Sequence, residues 1–178
     1  MIALTRRSAV VAAAFGLLTT PLLATDGRAA STPAADAGGT AEGTLTVNGK
    51  VTKVAFAYAR SVPGFFDKNV NDILVIVSDV PLDAKALADD SARTRMAASG
   101  KLHAFEITIN AAGEPISTAW RHNGFKGPTP SGLSTADVFT KKVFDGKVVD
   151  ASYKSAEDAE FFGNKYAFDV TFRANVAH

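Results

Sequence analysis

From Tyr166 to Val176 every second residue is apolar: Tyr166, Phe168, Val170, Phe172, Ala174 and Val176 alternate with Ala167, Asp169, Thr171 and Arg173. A period of two over that length predicts a long strand with one face buried and one wet. Ile73–Val77 differs, being five consecutive apolar residues (ILVIV). A strand without a polar face is covered on both sides, which places it centrally in a sheet. Thr44–Thr52 carries Asn48-Gly49 between two β-prone runs, the signature of a type I′ hairpin in which both turn residues need positive φ. A two-residue turn pairs Val47 with Lys50 and Leu45 with Thr52. Extending that register puts Leu45 and Val47 on the same face as Val54, Phe56 and Tyr58.

Further hairpins are predicted around Asn110–Gly113, joining Leu102–Asn110 to Glu114–His122, and at Asp145-Gly146. After Pro81, Asp83 is placed to cap one helix running to about Ala98, with Gly100 as its stop. Its apolar stripe (Ala84, Leu87, Ala88, Met96) is thin, and the i, i+4 pair Asp89 and Arg93 is expected on the wet side. Lys126–Asp137 (KGPTPSGLSTAD) reads as a loop. About eight strands and one packed helix predict a mainly β domain, an antiparallel β-sandwich or open barrel, with α+β as the alternative class.

The first 29 residues follow another pattern. Met1–Arg7 is short and positive, Ser8–Ala24 is dominated by Ala, Val, Leu and Phe, and Gly27-Arg28-Ala29 offers a small-residue cleavage site. That is the layout of a secretory signal, and Arg6-Arg7 also resembles the opening of a twin-arginine signal. A permanent anchor is disfavoured by the short apolar run and by Pro21. Residues 30–42 are small, polar and without period, the composition of a flexible leader; residues 43–178 are expected to form a single β-rich domain. The expected location is the periplasm or the exterior.

Of 19 basic and 18 acidic residues, three basic and one acidic fall in residues 1–29, leaving 16 against 17. That balance argues against tracking a nucleic-acid backbone, which requires a surplus of cations. The chain has no cysteine. Thiol catalysis, thiolate metal sites and disulfide stapling are thereby excluded.

Candidate chemistry is sparse. If Ile109 pairs with Glu114, His103 lies opposite Trp120 and diagonal to His122, so the two imidazoles come near each other. Two ligands without a carboxylate at metal-motif spacing do not define a metal site, and no metal or other cofactor is expected. Asp67, Asn69 and Asn71 alternate like the start of an EF-hand loop. Asp72 stands where glycine is required, however, and Ser78 where glutamate is required, so a turn rich in Asx side chains explains the stretch. Ser131, His122 and Asp137 could meet only through the fold, because no nucleophile-elbow frame surrounds the serine. Asp89-Asp90 and the group Glu157, Asp158 and Glu160 suit solvated turns and faces better than a carboxylate pair.

Two aromatic doublets, Phe65-Phe66 and Phe161-Phe162, sit beside turn residues and are expected to plug the ends of the sandwich; the alternative is that one ring of each pair points outward as a docking patch or the mouth of an apolar cavity. With Trp120-Arg121-His122-Asn123-Gly124-Phe125 they lead to a candidate ligand-binding surface of Phe65, Phe66, Trp120, Arg121, His122 and Phe125. The function expected is an exported, non-enzymatic binding or structural domain whose partner is a protein, a cell-envelope component or a small ligand. The alternatives are a hydrolase using His103 or His122 with a carboxylate or serine, and a barrel-like carrier of a small apolar ligand.

Overall fold

The computed structural model describes residues 38–178. Its strands are β1 (Gly39–Val47), β2 (Lys50–Lys53), β3 (Phe56–Pro63), β4 (Asn71–Ser78), β5 (Ala104–Ile109), β6 (Pro115–Arg121), β7 (Val138–Phe144), β8 (Val148–Lys154), β9 (Glu160–Phe161) and β10 (Asn164–Ala177). Two short helices, α1 (Ala84–Ala88) and α2 (Asp90–Ala98), lie between β4 and β5. The main path of the sheet runs β6-β5-β4-β3-β1-β10-β8-β7, with β2 paired to β1 and β9 to β10. The sheet curls into a half-barrel, so the chain takes the open barrel of the two β architectures its pattern allows. Among the described residues no helix is long and apolar enough to cross a membrane.

The curl brings the two arms of the sheet together across a filled interior. Phe105 of β5 stacks on Phe168 of β10 with ring centroids 4.4 Å apart, and Tyr153 of β8 meets Phe168 at 4.9 Å. Trp120 of β6 reaches Tyr166 at 5.6 Å. The alternating residues of β10 supply the wall as the pattern predicts, with Phe168, Val170, Phe172, Ala174 and Val176 all buried. β4 is central and covered on both faces, also as predicted. Ile73, Val75 and Val77 enter the interior, while Ile76 packs outward with Tyr58, Leu82, Ala86 and Leu102.

The Asn48-Gly49 hairpin forms in the predicted register, Val47 opposite Lys50 and Leu45 opposite Thr52. The extension beyond it does not hold. Thr44 pairs with Lys53 but Thr40 with Phe56, so β1 spends one residue more than its partner over that stretch. Phe56 and Tyr58 consequently pack with the outer cluster, and Ala57 and Ala59 take the interior positions. The slip sits at Gly43, which has φ +117° and whose added Cβ would come within 2.0 Å of Asp169 O. Glycine alone permits that bulge against β10. β1 itself begins at Gly39, with Thr40 opposite Arg173, so residues 39–42 belong to the sheet rather than to the leader. The signal and the remainder of the leader lie outside the described residues, save Gly38.

The single predicted helix is divided at Asp89. Its backbone is extended (φ −110°, ψ 107°), its N–H closes α1 on Lys85 O, and its side chain accepts from Ser91 N to start α2. Arg93, expected on the wet side, is 1% exposed. Its Nε donates to Glu106 Oε1 at 2.7 Å and its Nη1 to Ala86 O at 2.8 Å. The reason lies outside the helix: β5 presents the Glu106 carboxylate to the outer face, and a buried carboxylate requires a cation.

Candidate functional site

The β5–β6 pair positions both interior histidines. The turn pairs Asn110 with Glu114 instead of Ile109 with Glu114, and a bulge at Thr108/Ile109 adds a second single-residue slip. Two slips preserve the faces and shift the partners by two, so Phe105 meets Trp120. His103 then stands directly opposite His122, with ring centroids 4.4 Å apart, where the simple register made them diagonal.

Each ring is already engaged. His103 Nδ1 lies 2.7 Å from Asp79 Oδ2, its backbone N–H donates to Asp79 Oδ1, and its Nε2 is 3.2 Å from Asn123 Oδ1. His122 Nδ1 accepts from Gly124 N at 2.9 Å, and its Nε2 is 3.5 Å from Thr52 Oγ1. An Nδ1 that accepts a backbone proton belongs to a neutral ring. Burial first, then the charges of His103 and Lys50, lower its pKa to about 4. Among the described residues no group of three or more His, Asp or Glu is arranged to hold a metal. The pair ties the β1–β2 hairpin to the end of β6.

The candidate surface residues separate. Phe65 and Phe66 stand 65% and 81% exposed on the β3–β4 loop, at the end of β4 opposite Ser78, which borders Asp79 and His103. Trp120 is buried, and Phe125 is half-buried against it at 5.4 Å. Arg121 points to the outer face, where its Nη2 donates to Glu106 Oε2 at 3.1 Å and also bonds Asp90. Its role there is to anchor α2, because neighbours on a strand face opposite ways. The Asp67–Asp72 stretch is a self-bonded turn: Asp67 Oδ1 accepts from Asn69 N at 2.9 Å, and Asp72 Oδ2 accepts from Phe65 N at 2.7 Å.

A pocket of about 210 Å³ lies at the rim of the half-barrel, under the 126–137 loop. Thr118 and Trp120 come from β6, Tyr166 and Phe168 from β10, Phe161 from β9, and Ser131, Leu133, Ser134 and Asp137 from the loop. The loop is pinned at its middle and at its far end. Ser131 bridges to Ala119, Gly132 N donates to Thr118 O at 3.1 Å, and the Thr118 hydroxyl donates to Gly132 O. At the far end Asp137 Oδ1 accepts from Ala156 N at 3.0 Å. Burial, and then the charge of Asp137, raise the Tyr166 phenol above its usual range and push Tyr153 up to about 12. Both phenols are therefore neutral hydroxyls at ordinary pH. Of the conceivable triad, Ser131 and Asp137 reach this pocket while His122 is bonded elsewhere.

Tyr166 and Phe168 were visible in the sequence as interior positions of a strand, and Trp120 as part of a mixed aromatic stretch. Nothing in linear order showed that they share a pocket with Asp137. Compared with known proteins, the chain matches no family model, no curated protein and no solved structure.

Proposed function

We propose that the chain is an exported, non-enzymatic binding module that takes a small ligand in the pocket between the rim of the half-barrel and the 126–137 loop. The observation that carries this reading is the pocket's composition. Aromatic rings from β6, β9 and β10 converge with the hydroxyls of Thr118, Ser131 and Ser134 and the carboxylate of Asp137 beneath a pinned loop. Small-molecule sites commonly combine aromatic walls with a few placed polar groups that fix the ligand's orientation, and this pocket has both. The filled interior supports a ligand at the rim over an apolar cargo within the barrel. The separate engagement of His122 supports binding over hydrolysis. Export rests on the charged, apolar and small-residue order of residues 1–29.

Trp120 is the sole tryptophan and lines the pocket. Its emission should change saturably with at least one member of a panel of small ammonium ions, alcohols, sugars and carboxylates, and the same compound should raise the melting temperature. If every compound leaves both unchanged, the binding reading is wrong. Cell fractionation of the full chain checks export: retention of uncleaved protein in the cytoplasm would overturn that half of the proposal.

A further inference from the structure

The charge inside the pocket and the residue at its lip together narrow the ligand. Asp137 is the only formally charged side chain lining the pocket. Among the described residues it has no basic partner within ion-pair distance, and Ala156 N–H occupies only one of its oxygens. Its second oxygen is thus left for a ligand, and a carboxylate calls for a cationic one. Aromatic residues line the same pocket, and rings beside an anion are the usual recognition elements for organic ammonium groups. Trp120 and Phe168 are seated in the core at 2% and 3% exposure, so the rings open to a ligand are those of Phe161 and Tyr166. A free anion would meet Asp137 with no compensating cation. The volume, about 210 Å³, suits a compact head group.

The lip supplies a second, independent observation. Phe162 and Gly163 form the two-residue turn between β9 and β10, with φ +48° and +73°. A bulky L-residue in that left-handed conformation costs about 1–2 kcal/mol, and such strain persists where it serves a purpose. Yet Phe162 is 76% exposed, and its one ring partner is Phe161, 4.7 Å away, which itself lines the pocket. Leu133, also a lining residue, is half exposed beside the opening.

Building on the pocket reading above, we infer that the ligand is a small organic cation with an apolar arm, its ammonium group meeting Asp137 and its arm covering Phe162 and Leu133. The full mature chain and two variants, Asp137→Asn and Phe162→Asn, test this by calorimetric titration with choline, hexyltrimethylammonium, dimethylbutanol (the uncharged carbon isostere of choline) and hexanoate. The two ammonium ions should bind, the hexyl ion tenfold or more tighter than choline, and hexanoate should not bind. Asp137→Asn keeps an oxygen for Ala156 N–H, and should weaken both ammonium ions at least tenfold while leaving dimethylbutanol unchanged. Phe162→Asn suits the turn, and should raise the melting temperature while erasing the advantage of the hexyl ion over choline.

Equal binding of choline and dimethylbutanol, or preference for hexanoate, would overturn the charge assignment and leave the pocket reading standing. A hexyl advantage that survives in Phe162→Asn would overturn the lip assignment. Silence from all four probes, together with silence from the wider panel, would sink the pocket itself.

Discussion

The turn joining β1 to β2 and the turn joining β9 to β10 both pass through two residues of positive φ: Asn48 and Gly49 at +51° and +81°, Phe162 and Gly163 at +48° and +73°. The backbones are alike; the side chains have unlike roles. Asn48 tolerates the left-handed region and is fully used. Its Nδ2 donates to Gly124 O and to Asn164 Oδ1, both at 3.0 Å, and its Oδ1 accepts from Lys165 N at 3.1 Å. Phe162 is poorly suited to the same conformation and projects into solvent. The first turn serves the fold. The second sets its exposed ring beside the pocket, and its geometry is upheld by Asn164, whose Nδ2 donates to Phe161 O and Phe162 O at 3.2 Å. Because Asn48 and Asn164 bond each other, one clamp secures both turns and the 124–126 segment between them.

Removing the clamp should have the largest effect. Asn164→Ala removes a buried side chain together with its hydrogen bonds to Asn48, Lys126, Phe161 and Phe162, and should cost about 3 kcal/mol of stability in chemical denaturation. A loss below about 1 kcal/mol would show that the two turns hold independently.

Acid should loosen the same end of the molecule through His122. Its folded pKa of about 4 lies below the ordinary 6.5, so the unfolded chain takes up this proton first as pH falls. The stability contributed by the neutral ring is complete above pH 6.5, declines between about 6.5 and 4, and levels off below. The slope from this one group is no steeper than about 1.4 kcal/mol per pH unit. His122→Gln should flatten stability across that window relative to the parent chain, and an unchanged slope would remove His122 as the cause.

Exchanging the turn residues sharpens the contrast. Phe162→Asn should stabilise the chain by about 1 kcal/mol, whereas Asn48→Phe should destabilise it by more than that, since it loses hydrogen bonds as well as accepting strain. Changes of the same sign in the denaturation midpoint would refute the division of labour. Smallest and most even should be Gly49→Ala and Gly163→Ala. An added Cβ meets nothing within 4 Å at either position, so each should cost about 1 kcal/mol for backbone strain alone. A large disparity between them would mean that the two turns are not equivalent in backbone energy.

Periodic and turn chemistry was readable wherever neighbours in sequence determine the outcome. The β10 alternation, the continuous apolar run of β4 and the Asn48-Gly49 register all depend on the two-residue repeat or on local φ preferences. Arg93 was misplaced because its burial depends on Glu106, a residue of another element. Phe56 and Tyr58 changed faces because one glycine in β1 adds a bulge. The histidine pairing shifted by two because slips at a turn and at a bulge reinforced each other. Of the surface proposed from sequence, Trp120 lines the pocket, Arg121 serves the outer face, and Phe65 and Phe66 stand at the other end of β4.

By itself, the sequence determined that this would be a cysteine-free, mainly β chain of balanced charge, with its interior strands and principal hairpins in place, because those features arise from residue chemistry and short-range periodicity. Only the tertiary structure decided the curl of the sheet, the division of the helix at Asp89, the burial of Arg93 and the meeting of Asp137 with Trp120, Phe161 and Tyr166. Those depend on single-residue slips and on charges donated by distant strands, and a linear pattern carries no record of which distant group will stand opposite.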